Sequence, residues 1–148
     1  MIRHGEVDCE FHQVFGGRID MELSPLGHRQ AKHLAKFLRE RSFDRIYRSP
    51  MVRVRQTAAP LLKALNQTAV ELDDLCEVDF GVWTGYKWHE IKDKFGKNAI
   101  DWLEHLQNGT IPEAEPINAY QMRIKKCLDL ILKDGDRGDT LVFCHGGV

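Results

Sequence analysis

Two short runs of this chain end in a histidine followed by glycine. Ile2 leads into Arg3-His4-Gly5, and Thr140-Leu141-Val142-Phe143-Cys144 leads into His145-Gly146. The second run is apolar at consecutive positions, as expected of a strand covered on both faces, and so of a parallel sheet between helices. In such sheets ligands bind outside the carboxyl ends of the strands. Two histidines and an arginine at two strand ends therefore predict one site, built for an anionic group.

The segments between these ends read as helices and strands in alternation. Ser24-Pro25 is a helix start, with Ser as N-cap and Pro in the first turn. Ala31, Leu34, Ala35 and Leu38 follow at helical spacing, predicting a helix to about Arg41. Phe43 to Arg48 reads as a short strand. A second helix starts near Pro50, with Met51, Val54, Ala58, Leu61, Leu62 and Leu65 on one face and a bend expected at Pro60. Ala69 to Leu72 is a third strand, and residues 73–86 a loop dense in acids and aromatics. Short helices are expected over 87–95 and 98–107. Ile117, Tyr120, Ile124, Cys127, Leu128 and Ile131 mark a long amphipathic helix. The fold class is therefore α/β, three-layer α/β/α with a mostly parallel central sheet. The 148 residues suit one domain spanning 1–148. Both ends look cut short. Only Met1 and Ile2 precede the first motif, and the last strand runs into His145-Gly146-Gly147-Val148, so an incomplete sheet is expected.

Charge narrows the choice of partners. Lys and Arg number 21 against 22 Asp and Glu, which lacks the basic excess of a nucleic-acid or membrane-surface protein. No apolar run approaches the length of a membrane span, and no secretory segment opens the chain, so the cytoplasm is the expected location. Cys9, Cys76, Cys127 and Cys144 have neither C-x-x-C nor zinc-site spacing and are expected to be reduced. With no clustered carboxylate or His/Cys ligand set, neither a metal nor another cofactor is expected.

Chemistry-bearing groups fall just after the predicted strands. Arg3 and His4 follow the first, and Arg53 follows the second on the opening turns of a helix. Glu77 follows the third, and His145 the fourth. Guanidinium forks bind phosphate oxygens two at a time. A neutral imidazole can attack phosphorus, and a carboxylic acid can protonate the departing oxygen. Read alone, Arg53 is no better a candidate than Arg55, and Glu77 is not separable from Asp73, Asp74 and Asp79.

These residues lie in stretches similar to the motifs of a known family. Arg3-His4-Gly5-Glu6 resembles the signature of the histidine phosphatases, the superfamily that includes cofactor-dependent phosphoglycerate mutase. Phe15-Gly16-Gly17-Arg18-Ile19-Asp20 resembles its F-x-G-x-x-D loop, and Leu23-Ser24-Pro25-Leu26-Gly27-His28-Arg29-Gln30-Ala31 its L-[ST]-x-x-G-x-x-Q-A helix start. Ser49-Pro50-Met51-Val52-Arg53-Val54-Arg55-Gln56-Thr57-Ala58 resembles S-P-x-x-R-x-x-Q-T-A. Leu75 to Gly85 resembles L-x-E-x-x-F-G-x-W-x-G, and Val142 to Gly147 resembles V-x-H-G-G. Each stretch is a weak signal singly; their common order along the chain makes them specific. The opening also resembles that of α-ribazole phosphatase-like members.

The resemblance implies a phosphoglycerate mutase-like fold and a role for each residue. His4 is then the nucleophile that becomes phosphohistidine. Arg3, Arg53 and His145 hold the phosphoryl oxygens, and Glu77 serves as general acid and base. Gly16, Gly17 and Arg18 of the F-x-G-x-x-D loop, with Glu10, are expected at the substrate. The chain also departs from the pattern. Glu10 stands where the family often has an Asn that contacts phosphate, and Val14 where it often has Arg. Glu113-Ala114-Glu115-Pro116 replaces a G-G-E-S turn, keeping only the Glu at 115.

The expected function is metal-independent hydrolysis of a small phosphorylated metabolite. A mutase-type phosphotransferase is the alternative within enzymes, although the segment around Glu77 is more similar to the phosphatase branch. A non-catalytic phosphate-binding domain is the alternative outside enzymes. Trp83, Tyr86 and Trp88 are read as packing residues. His12, His28, His33, His89 and His105 are read as surface or helix-face histidines.

Overall fold

Alternating burial along the strands builds the layers. The computed structural model describes residues 1–134 and 138–148. Strand β1 is Ile2–Arg3, β2 Arg45–Arg48, β3 Val70–Glu71 and β4 Thr140–Cys144; the helices are α1 Pro25–Leu38, α2 Val52–Leu65, α3 Trp88–Phe95, α4 Trp102–Gln107 and α5 Ile117–Asp134. The strands lie in the order β1-β4-β2-β3, and every pairing is parallel. Ile46, Leu141 and Phe143 pack with Ala35 and Leu38 of α1 and Val54, Ala58 and Leu61 of α2. Tyr47, Val142 and Cys144, one residue out of phase, pack with Cys127 and Ile131 of α5 on the other face. Successive strand side chains point to opposite faces, so this phase shift puts helices on both sides of the sheet. Leu141 through Cys144 are all buried, as their unbroken apolar run predicts.

Element ends follow local chemistry. The Ser24 Oγ accepts from the Gly27 N–H at 3.0 Å and caps α1. That helix stops at Leu38, short of Arg41, where the Arg41 N–H turns back to the Leu38 carbonyl. Helix α2 continues unbroken through Pro60; the fully buried Ala58 and Leu61 anchor it on either side. The predicted helix over 98–107 opens instead as a 3₁₀ turn, Ala99–Asp101, before α4.

Segment 73–86 is more ordered than a loop. It contains 3₁₀ turns at Asp73–Leu75 and Gly81–Trp83. Val78, Phe80 and Trp83 join Phe15, Ile91, Leu106, Ile111 and Tyr120 in a third apolar cluster. All four cysteines are free thiols. Among the described residues no helix is long and apolar enough to cross a membrane.

Candidate active site

Sheet register brings the two histidines together. β1 and β4 run parallel with Arg3 opposite Cys144, so the next residue of each strand is a histidine beside a histidine. The His4 N–H donates to the Cys144 carbonyl at 3.1 Å, and the two imidazoles meet edge to face with centroids 5.4 Å apart. On the other side of β4, Arg48 lies opposite Phe143, and Ser49 donates its N–H to the Phe143 carbonyl at 3.0 Å. The Arg3 guanidinium lies over the following turn: a Cβ on Gly146 would stand 3.3 Å from its Cζ.

Each ring has one nitrogen engaged. His4 Nδ1 is 2.8 Å from the Gly5 carbonyl. A carbonyl only accepts, so Nδ1 carries the proton and the neutral ring keeps its lone pair on Nε2. His145 Nε2 is 2.8 Å from the Ser49 Oγ. The Ser49 Oγ also accepts from the Met51 N–H, and its hydroxyl proton can be donated to Nε2. With Ser49 as donor to Nε2, His145 Nδ1 carries the proton; that nitrogen is buried with no partner. Both rings are held neutral. Burial, with the nearby charges of Arg53 and Arg3, lowers His4 to about 4. Burial, then Arg53 and His4, lowers His145 to about 2.

Arg53 is 1% exposed and fixed by carbonyls of the 16–20 loop. Its Nη1 donates to Ile19 at 2.8 Å and its Nη2 to Gly17 at 3.0 Å; its Nε is buried and unpartnered. Asp20, in the same loop, caps α2 by accepting from the Val52 N–H at 2.7 Å. Three further side chains tie the motif segments together. Thr57 accepts from the Gly5 N–H, Gln30 from the Glu6 N–H, and Gln56 from the Leu23 N–H. These bonds fasten the backbone of Gly5, Glu6 and Leu23 to side chains of α1 and α2.

Glu77 is half-buried and reaches across to the end of β4. Its Oε1 accepts from the Val78 N–H at 3.0 Å and its Oε2 from the Gly147 N–H at 3.3 Å. Of the acids around it, Asp73 is exposed, Asp74 pairs with Lys126, and Asp79 accepts from the Gly81 N–H. Glu77 alone among them contacts the His145-Gly146-Gly147 turn.

The remaining predicted residues fall at different depths. Gly16 is buried, and any Cβ there would collide with Met21 Cε. Gly17 adopts a left-handed φ of +45°, and its carbonyl accepts from Arg53 Nη2. Arg18 is half exposed, with a 3.7 Å contact to Glu115. Glu10 is exposed in the turn Cys9–Phe11. Trp83 is fully buried, whereas Trp88 is 48% exposed and touches Phe15. His105 is half-buried and packs its ring on Trp83.

Sequence reasoning does not reach Arg123. Its guanidinium pairs twice with Glu115, Nε to Oε1 at 2.6 Å and Nη2 to Oε2 at 2.8 Å. It also donates to the carbonyls of Asp74, Cys76 and Glu77. One signal marks it: a cation four residues before Cys127 on the apolar stripe of α5 must be paired if it is buried.

Comparison with known proteins gives the family and the fold. Residues 1–148 match the profile of the histidine phosphatase superfamily (branch 1). Phosphoserine phosphatase 1 of Hydrogenobacter thermophilus is 29% identical over 145 residues, 98% of this chain and 69% of that protein. The adenosylcobalamin/alpha-ribazole phosphatase of Salmonella typhimurium is 26% identical over 148 residues, covering 100% and 73%. The mycobacterial glucosyl-3-phosphoglycerate phosphatase Rv2419c, solved in complex with VO3, superposes with a TM-score of 0.84 at 25% identity, covering 99% of this chain and 75% of that one. The alpha-ribazole phosphatase of Shigella flexneri shares the fold, with a TM-score of 0.83 at 23% identity, covering 97% and 71%.

Proposed function

This chain belongs to the histidine phosphatase superfamily (branch 1) and is a phosphatase of that type, and from that premise we propose that it hydrolyses a small phosphomonoester through a phosphohistidine on His4. The observation that carries this reading is the orientation of His4: Nδ1 is tied to the Gly5 carbonyl, which leaves Nε2 as the attacking atom. Buried donors with no protein partner, His145 Nδ1 and Arg53 Nε, fit a phosphoryl group as their acceptor. Arg3 adds a second guanidinium at the same strand end.

In the first step His4 Nε2 forms a bond to phosphorus, and the bond from phosphorus to the ester oxygen breaks. Glu77 gives that oxygen a proton, so the product leaves as an alcohol. In the second step Glu77, now a carboxylate, takes a proton from water as the oxygen attacks phosphorus. The P–N bond breaks, inorganic phosphate leaves and His4 is restored. Positioning and charge do most of the work in phosphoryl transfer. Here Arg3, Arg53 and the His145 N–H supply the charge and the donors, so no metal ion is required.

Arg18 and Glu10 are the contacts proposed for the rest of the substrate, with Gly16 and Gly17 shaping the loop that carries Arg18. Relatives named for phosphoserine and α-ribazole phosphate make these two compounds the first members of a substrate panel. Phosphate release should persist in chelator, fall with vanadate, which mimics five-coordinate phosphorus, and vanish in His4→Ala. Loss of activity in chelator with recovery on adding a divalent ion, or normal turnover by His4→Ala, contradicts the reading.

A further inference from the structure

Helix α5 contacts both the segment that carries Glu77 and the turn that follows β4. Arg123 points from this helix with its side chain 11% exposed. Its Nη1 donates at 2.7 Å to the carbonyls of Asp74 and Cys76, and its Nη2 at 3.2 Å to that of Glu77 itself. Glu115, 10% exposed, clamps the other edge of the guanidinium. Burial opposes the charge on Arg123, but the Glu115 hydrogen bonds and charge outweigh it and hold the guanidinium above its ordinary value. One turn earlier, the Tyr120 hydroxyl donates to the Gly147 carbonyl. The N–H of Gly147 in turn donates to Glu77 Oε2. The backbone that carries Glu77 and the backbone that orients its carboxylate are therefore both fastened to α5.

The hydrogen-bond pattern has a consequence for Glu77. A carboxylic acid protonates a departing oxygen only within hydrogen-bond reach, and small displacements of a reacting group are costly. Residues 74–77 form no strand ladder that would hold them; a 3₁₀ turn and the fork of Arg123 do so instead. A lysine could keep the charge beside Glu115 but could not span three carbonyls from one rigid plane.

We infer that Arg123, held by Glu115, is the positioning residue for Glu77, setting the placement of the general acid without touching substrate. This rests on the reading of Glu77 as that acid. The test is the phosphorylation burst, measured with phenyl phosphate and 4-nitrophenyl phosphate. The first releases a more basic oxygen and depends more on a proton donor. Arg123→Lys, which keeps a cation opposite Glu115 and so the fold, is compared with Glu77→Gln and with the double variant. Glu77→Gln should slow the burst with phenyl phosphate by about 10²-fold or more, and with 4-nitrophenyl phosphate far less. Arg123→Lys should show the same selectivity, with a loss of about 10-fold on phenyl phosphate. The double variant should be no slower than Glu77→Gln. Equal losses on both substrates in Arg123→Lys, or no loss, while Glu77→Gln remains selective, would overturn the positioning role alone. No selectivity in Glu77→Gln would overturn the acid assignment, and the positioning role with it.

Discussion

Residue by residue, the site depends on orientation more than on identity. Arg53 and Arg55 stand two positions apart on α2, yet Arg53 is 1% exposed and Arg55 faces solvent. Composition and spacing do not separate them. The carbonyls of Gly17 and Ile19 do, because they take the Arg53 fork from a loop distant in sequence. Arg53→Lys should therefore reduce kcat/KM by about 10²- to 10³-fold, as removal of a preorganised donor does, while Arg55→Lys should leave it nearly unchanged. Similar small effects at both would mean the fork is not used on phosphate. His4 gives a pH test. Its ring is neutral above about 4, so the nucleophile should stay competent well below pH 6.5. The acidic limb of kcat/KM that belongs to this ring should fall near pH 4, and a nucleophile limb at 6.5 would contradict that environment. Glu10 is a third residue-scale test. As an acid on the turn Cys9–Phe11, it should repel a bound dianion if it faces the site. Glu10→Asn should then tighten vanadate binding a few-fold and impair the true substrate. An unchanged vanadate affinity and unchanged turnover would place Glu10 outside the site.

Among the elements, α2 shows how a functional residue depends on a helix end. Met51 offers no side-chain cap. Asp20 supplies one from another loop, the same loop whose carbonyls hold Arg53. Asp20→Ala should cost about 1 kcal/mol of stability, typical of a lost N-cap, and should also raise KM for phosphomonoesters because the Arg53 carbonyl partners shift with it. Chemical denaturation read beside kinetics checks both; a stability loss with unaltered KM would uncouple the cap from the clamp. The helices themselves were readable from period and caps, as with Ser24-Pro25 at the head of α1. Segment 73–86 was less so. Its acids suggested a loop, but Leu75, Val78 and Trp83 bury themselves against α3, α4 and α5 residues far along the chain, and local periodicity carries no trace of that packing.

For the molecule as a whole, strand order is what the sequence patterns leave out. The apolar run of β4 announces a strand buried on both faces. Nothing local says that it lies between β1 and β2, and it is this placement that sets His145 beside His4 on one side and Ser49 on the other. Arg123 leaves no local mark of its partners for the same reason: they lie 8 to 49 positions away. The family motifs, by contrast, single out His4, Arg53, Glu77 and His145 as candidates without reference to strand order. Burial of two neutral histidines also affects global stability. Both have folded pKa values below the ordinary 6.5, so between pH 6.5 and 4 the unfolded chain binds protons that the folded chain does not. Stability should fall as pH drops through this window. Thermal melts across it should show His4→Gln with a shallower acid slope than the native chain, and parallel slopes would mean that His4 does not contribute.

The central claim is that His4 Nε2 carries the phosphoryl group. The most direct measurement is a rapid quench of the enzyme with a 32P-labelled phosphomonoester, followed by mapping of the labelled peptide. A label that is lost in acid, retained in base, located on His4 and absent from His4→Ala is the predicted result. Full turnover with no trapped label, or a label on another residue, would contradict it.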